Sequence, residues 1–388
     1  MTALIATIPA VITVASMGYC ALCISAGARF AARSGQSPVQ PFSLPPVSIL
    51  KPLRGIDPEM YESLRSHCLQ DYPEYEIVFG ISDSNDPASG IVKRLQGEFP
   101  NRRLRLLLCD KVLGANRKVS SLAQLVTSAE YDFLVVNDSD IRVAPDYLRA
   151  VMSKLTNPDT GLVTCLYRGV ASGTLASRLE SLSISTDFIP GVLAARQIEG
   201  GLRFGLGSTL AFRKQDLQAA GGFEAIADYL ADDYELGRRI AGNHRKVELA
   251  ESVVETYLPA YDFAGFFSHQ LRWARTIRTS RPAGYAGLIF TFTLPWAVLT
   301  LALARGTGWA WTLFAWTLFA AAASIRVATA FVVGRLVLRD KAALRSLWLL
   351  PIRDALAVVF WVGGLAGRKI VWRGETFYLE DGKLRRPD

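Results

Sequence analysis

Long uncharged stretches at both ends of the chain enclose a central region in which short apolar runs trade places with amphipathic ones. Residues 1–28 contain no acidic or basic side chain, and Arg29 and Arg33 follow at once. About 20 apolar residues suffice to cross a bilayer. A cleaved leader carries its charge ahead of a shorter apolar core, so residues 1–30 read as a retained membrane anchor. Positive charge directly after it sets that side toward the cytoplasm.

A linker bearing Pro and Ser follows over residues 31–45. Strand-type runs then occur at 47–50, 76–82, 103–108, 131–137 and 161–167, with amphipathic helical patterns at 59–69, 87–99, 118–129 and 145–155. Strands alternating with helices predict an α/β domain with a mainly parallel sheet covered on both faces. In such sheets ligands collect at the carboxyl ends of the strands. This predicted catalytic domain spans residues 46–281.

Beyond Arg281 the chain turns apolar again. Residues 282–304 and 306–325 are uncharged, and Pro295 is the kind of kink that membrane helices tolerate. Arg335, Arg339, Lys341 and Arg345 against a single Asp340 mark a cytoplasmic stretch, so two crossings with an outer turn near Arg305 fit. The last apolar region, 346–367, is interrupted by Arg353 and Asp354 and reads as re-entrant or interfacial. Residues 282–367 thus form a C-terminal membrane region, and 368–388 a basic cytoplasmic tail.

Composition narrows the classes. The chain has 388 residues, 50% hydrophobic and 20% charged, which excludes a disordered or collagen-like protein. Its net charge of +8 is unevenly placed: residues 46–281 hold 28 basic and 29 acidic side chains, and the two ends hold 15 and 6. A nucleic-acid reader concentrates basic charge on its folded domain. Here the excess flanks apolar segments, where it acts as a topology signal and a contact to anionic lipid. The five cysteines are odd in number and scattered, and the Cys20, Cys23 pair lies in an apolar run with no other soft ligand nearby. None of His67, His244 and His269 has zinc-hydrolase spacing.

Chemistry-bearing residues cluster after the strands. The run 76–82 leads into Asp83, where a carboxylate can accept from a base or a ribose hydroxyl, or simply belong to a loop that caps the next helix. The run 131–137 leads into Asp138, Ser139 and Asp140. Two acids there suit a divalent cation shared with substrate phosphates, against the plainer reading of an acidic turn. Asp232 and Asp233 precede a helical pattern at 236–241, where acids complement the helix dipole and where one could also serve as a general base. His269, Arg272 and Trp273 lie on a predicted helix, with Arg272, Arg275 and Arg278 on one face. Guanidinium groups suit phosphates, and a basic amphipathic helix also suits a lipid surface. Gly205 and Gly207 are followed by Leu210 where a dinucleotide loop needs its third glycine, and residues 204–212 read as a strand, which excludes a dehydrogenase.

Taken in order, these elements resemble the membrane-bound ceramide glucosyltransferase family. The matching residues are Lys51-Pro52-Leu53-Arg54-Gly55, Asp83 through Asp86-Pro87-Ala88, Gly114-Ala115-Asn116-Arg117-Lys118, Asp138-Ser139-Asp140-Ile141-Arg142-Val143, Arg213-Lys214 with Gly221-Gly222-Phe223, Asp233-Tyr234, and Arg272-Trp273. Residues 114–119, 161–169 and 269–278 are similar in particular to the bacterial branch associated with hopanoid biosynthesis. The resemblance implies a GT-A-type nucleotide-sugar-binding fold between N- and C-terminal transmembrane helices. It implies a donor site in which Asp83 meets the uridine and Lys118, Asp138 and Asp140 serve the diphosphate. Asp138 and Asp140 would also hold a divalent metal, Mg or Mn. Asp233 would be the base, and Arg272 with Trp273 would frame the diphosphate and acceptor. His269 departs from the family, which usually has Gln or Arg at that position.

The implied activity is inverting transfer of a sugar from a UDP-sugar to a lipid hydroxyl, N-acetylglucosamine to bacteriohopanetetrol in the hopanoid branch, with ceramide glucosylation from UDP-glucose as the neighbouring alternative. The implied setting is a multi-pass protein of the bacterial inner membrane with a cytoplasmic catalytic domain. Competing classes are a processive polysaccharide synthase and a non-catalytic membrane adaptor that keeps a nucleotide-binding fold.

Overall fold

Apolar runs buried on both faces become the centre of a parallel sheet. In a computed structural model, which describes residues 2–34 and 44–387, β1 (Val47–Leu53), β2 (Tyr75–Ile81), β3 (Arg103–Leu108) and β4 (Phe133–Val136) are parallel. All seven residues of β2 are buried, as expected for a strand with neighbours and helices on every side. At the edge, β3 is half-exposed, and its Arg105 pairs with the buried Glu76 at 2.7 Å.

Mixed pairing enters on the other side. With β5 (Ile141–Arg142), β6 (Thr160–Val170), β7 (Leu210–Arg213) and β8 (Lys246–Tyr257), the strand order is β3-β2-β1-β4-β7-β6-β8-β5. Here β7 is antiparallel to both neighbours, β6 and β8 are parallel, and β5 is antiparallel to β8. The strand expected over 204–212 is confined to its end. Leu206 and Thr209 instead close a tight turn, because the chain there folds back against Asp233.

Chain contacts divide the molecule into two compact units. The sheet belongs to a unit made of Ser34–Val170, Glu199–Pro259 and Trp372–Asp388. In it, the end of the basic tail is an ordered antiparallel hairpin, Glu375–Glu380 with Lys383–Arg385, whose Leu384 N–H donates to the Asp228 carbonyl at 2.7 Å.

The helical unit comprises Met1–Arg33, Ala171–Ile198 and Ala260–Val371. Thr2–Ser34 is one helix of 33 residues, in line with an anchor; the linker expected after it lies mostly outside the described residues. Among the described residues, three helical stretches, Ile5–Arg33, Trp309–Val337 and Leu347–Leu365, are long and apolar enough to cross a membrane, or four if a bent pair counts as one. That pair, Pro282–Thr291 and Thr293–Ala304, is bent by 53°. The break falls at Phe292 rather than at Pro295, since proline is accommodated in the first turn of the new helix and disfavours helix before it. Residues 347–365 make a helix of spanning length despite Arg353 and Asp354, both of which are turned inward and buried. Phe266, Phe360, Leu179 and Leu350 form the core of this unit, with the two phenyl rings edge to face at 5.6 Å. All five cysteines are buried and free.

Candidate active site

Register brings the candidate loops to one edge of the sheet. Leu53 pairs with Ile81 and Leu50 with Val136, so the chain leaves β1, β2 and β4 on the same side. Leu210 pairs with Val136 in the antiparallel sense, so β7 begins there. Asn137, buried at the end of β4, ties these ends together: its amide donates to the Ser208 carbonyl at 2.7 Å and to the Tyr147 hydroxyl at 2.9 Å.

Asp138 and Asp233 converge at Gly207. A Cβ on that glycine would lie 3.2 Å from Oδ2 of Asp233 and 3.3 Å from Oδ2 of Asp138, so the two carboxylates border one small space. Asp233 is held by two backbone donors, Gly207 N–H to Oδ2 and Tyr234 N–H to Oδ1, each at 2.7 Å. It lies in the first turn of the helix Asp232–Gly242. Burial and the neighbouring Asp232 charge push its carboxyl up to about 6, although Lys118 and the Tyr234 N–H pull the other way.

Lys118 links this pair of acidic segments. Its ammonium is 2.8 Å from Oδ1 of Asp138 and 3.1 Å from Oδ2 of Asp232. Burial lowers its affinity for the proton, and the Asp138 and Asp232 carboxylates more than offset that, leaving it raised and firmly charged. The lysine is positioned by the loop before it. Asn116 caps the helix Arg117–Ser128 through Val119 N–H, and its amide donates to the Tyr229 carbonyl at 2.8 Å. Only glycine fits at Gly114, where a Cβ would meet the Ala227 carbonyl oxygen at 2.6 Å.

Asp140 sits beside Asp138. Burial, then the Asp138 charge, raises it to about 6, while the Thr256 hydroxyl donates to it at 2.6 Å. Hard oxygen donors from two adjacent acids fit a divalent ion that takes its remaining ligands from water or phosphate. Among the described residues, no group of three or more His, Cys, Asp or Glu side chains is arranged for a metal.

The other expected residues make the following contacts. Asp83 follows β2 at the same sheet edge but is exposed, and its carboxylate accepts from Asn85 N–H at 2.9 Å. His269, Arg272 and Trp273 lie in the helical unit, on the helix Phe263–Ser280. There His269 Nδ1 is 3.1 Å from Glu180, its ring stacks on Tyr261 at 5.4 Å, and Trp273 packs against Phe188 at 5.6 Å. Arg275 and Arg278 donate to carbonyls at and just beyond the end of the helix Leu350–Leu365, the groups a helix terminus leaves unpaired.

Several contributing residues were not among the candidates read from the sequence. Lys51 is fully buried on β1 and donates to the Asp138 carbonyl at 3.1 Å; burial pulls it down to about 7 against the Asp138 and Asp140 charges. A lysine inside the apolar run VSILKPL was the available signal. Asp57 accepts from Ser139 and lies 3.8 Å from Arg373 at the start of the tail hairpin. Neither Asp57 nor Gly207 carries a local signal, because their partners are remote in sequence.

Residues 8–385 match the model of Glycosyl transferase family 21. The chain belongs to that family. This family 21 chain is 26% identical over 234 residues to "Ceramide glucosyltransferase 3" of Caenorhabditis elegans, covering 60% of the chain and 50% of the relative. It is 36% identical over 123 residues to "Ceramide glucosyltransferase" of Komagataella phaffii, covering 30% of the chain and 24% of the relative. The matches therefore span half or less of these relatives' lengths. Among solved structures, the mannosyltransferase PcManGT of Pyrobaculum calidifontis, in complex with GDP-Man and Mn2+, aligns over 91% of this chain and 99% of its own with a TM-score of 0.53 and 19% identity. That likeness establishes a GT-A-type fold for the family 21 chain.

Proposed function

We propose that this chain is a membrane glycosyltransferase that moves a sugar from a UDP-sugar to a lipid hydroxyl with inversion at the anomeric carbon. The observation that carries the reading is the convergence of Asp138 and Asp233 on the space at Gly207, with the Lys118 ammonium between the acidic segments. Asp233, anchored by two N–H groups, is the base: its free lone pairs take the acceptor proton as the acceptor oxygen bonds to the anomeric carbon. The bond from that carbon to the diphosphate breaks in the same displacement, and UDP leaves with the electron pair. Lys118 would hold the diphosphate oxygens, and Asp83 would accept from the uridine. A divalent ion on Asp138 and Asp140, Mg or Mn, would supply further neutralisation of the leaving group. The roles proposed for Arg272 and Trp273, toward the diphosphate and the acceptor, come from the family resemblance.

Two acceptors are favoured by different observations. The residues at 114–119, 161–169 and 269–278 favour bacteriohopanetetrol with N-acetylglucosamine. The names of the curated relatives favour ceramide with glucose. An inner-membrane location with the sheet unit in the cytoplasm follows from the positive charge flanking the apolar segments. Mass spectrometry of lipids from cells with and without the chain tests the reading. Loss of a hexosamine on a hopanoid or of a hexose on a sphingolipid identifies the acceptor, and an unchanged glycolipid profile, together with no acceptor-dependent UDP release by the purified chain, rejects the activity.

A further inference from the structure

Charges on membrane-length helices face the interior and are paired, and they often mark a functional site. The helical unit buries such a group. Arg326, on the helix Trp309–Ala330, is 2% exposed and makes two hydrogen bonds to Asp354, at 3.0 and 2.8 Å. It also donates to the Thr186 carbonyl at 2.7 Å and to Asp187. Every nitrogen of that guanidinium donates a hydrogen bond. Arg353, on the helix Leu350–Leu365, is different. It is 6% exposed, and its Nη2 donates to Ser183 at 2.6 Å and lies 3.4 Å from Oδ2 of Asp187. Its Nε and Nη1 are buried without a hydrogen-bond partner, and Oδ2 of Asp187, though within ion-pair distance of Nη2, accepts no hydrogen bond.

Buried polar groups are almost always satisfied, so adjacent unused donors and an unused acceptor call for a partner. The partner must accept from Arg353 and donate to Asp187. Phosphate only accepts, and it would bring its charge against Asp187 and Asp354. A cation would meet two guanidinium groups. A hydroxyl has one donor and two lone pairs and meets both demands.

Access and geometry agree with this. The Asp187 side chain as a whole is 28% exposed, while its Oδ2 and the two unpartnered Arg353 nitrogens lie just beneath that surface, so a hydroxyl reaches them by a local side-chain shift at Asp187. Phe188, its neighbour, packs on Trp273 of the Arg272-Trp273 element. Asp187 sits in a π-helical turn, Ile184–Phe188, a distortion of the helix that is often found at functional sites. Ser185 of that turn is pinned by Asp340 at 2.7 Å, which fixes the direction of Asp187.

We propose that Asp187 and Arg353 bind a hydroxyl on the polar end of the acceptor lipid, Arg353 donating to its oxygen and Asp187 accepting a hydrogen bond from its O–H. The inference rests on the reading of the chain as a lipid glycosyltransferase, and its test is separable from that reading. The full chain is purified in detergent, and its equilibrium binding of short-chain ceramide and of bacteriohopanetetrol is measured, each beside its O-methylated form, which retains an acceptor oxygen but no donor. For at least one of the two lipids, wild type is expected to bind the free form roughly tenfold more tightly than the methylated form, the effect of one hydrogen bond to a charged group. Asp187→Asn is expected to lose that preference.

Because Asp187 also pairs with Arg326, a second variant guards against misfolding. Arg353→Lys keeps the charge but removes the two unpartnered donors, and is expected to weaken binding about tenfold with UDP-sugar affinity unchanged. No preference for the free form of either lipid in wild type, or wild-type lipid affinity in Arg353→Lys, overturns the proposal. A parallel loss of UDP-sugar affinity also overturns it, since that marks a purely structural cluster. If wild type transfers sugar while both variants keep its acceptor KM, this inference fails and the transferase reading stands. If wild type binds the lipid with the expected preference but transfers nothing, the transferase reading fails and the hydroxyl site stands.

Discussion

Asp138 and Asp233 each direct one carboxylate oxygen at the space that the missing side chain of Gly207 leaves open. Gly207→Ala fills it. The new methyl displaces both acids by a few tenths of an ångström or more, and misplacement on that scale costs a positioned site up to about a hundredfold in rate. Turnover of Gly207→Ala is expected to fall ten- to a hundredfold while its melting temperature stays near wild type. Steady-state kinetics beside a melting curve checks this, and near-normal turnover would mean that the space is not where the reaction occurs.

Removing the two acids separately divides their roles. Asp233→Asn keeps the side-chain shape and loses the proposed proton acceptor, so transfer is expected to drop by about 10²–10⁴ with UDP-sugar affinity within twofold of wild type. Asp138→Asn is expected to weaken both transfer and donor binding, because that acid pairs with Lys118 and is proposed to hold the cation. Titration calorimetry with UDP-sugar, set beside turnover, distinguishes the pair.

A raised carboxyl at the proposed base makes the rate depend on pH in one direction. Burial and Asp232 hold the Asp233 carboxyl at about 6, and only its ionised form accepts a proton. The rate is therefore expected to level off above about pH 7 and to fall about tenfold per unit below pH 6. A profile that keeps its full rate at pH 5 would exclude Asp233 as the base.

Lys118 spans the two acidic segments with contacts of 2.8 and 3.1 Å. Lys118→Met leaves Asp138 and Asp232 without their counter-charge. UDP-sugar binding is expected to weaken by about ten- to a hundredfold, the range for losing a hydrogen bond to a charged group. Unaltered donor affinity in a folded variant would remove Lys118 from the donor site.

The tail hairpin reaches the same site through its neighbours. Leu384 N–H bonds the Asp228 carbonyl, Asp228 accepts from Ala115 N–H at 2.9 Å, and Ala115 belongs to the loop that leads to Lys118. Arg373 approaches Asp57, which holds Ser139. Arg373→Ala with Leu384→Asp is expected to raise the UDP-sugar KM severalfold with a smaller effect on kcat. Kinetics with saturating acceptor checks this, and unchanged constants would confine the hairpin to a structural role.

Much of the framework was legible along the chain. The run 131–137 followed by two acids marked the end of β4, and apolar runs alternating with amphipathic ones predicted a mainly parallel sheet. Less was legible where partners are remote. Residues 204–212 read as a strand, because nothing local reveals that Gly205 and Gly207 must pass close to Asp233. Arg275 and Arg278 read as phosphate or lipid ligands, whereas they are occupied by the end of another helix.

The sequence by itself determined which segments are apolar enough to leave water, where strands alternate with helices, and which acids follow strands, since all three are properties of neighbouring residues. Tertiary structure alone decided that Asp138, Lys118 and Asp233 meet, that Lys51 is buried beneath them, and that Arg353 and Asp187 come together with unused hydrogen-bonding atoms. The physical reason is that convergence depends on register and packing between distant segments, and a charge is tolerated in the interior only when folding brings its partner to it.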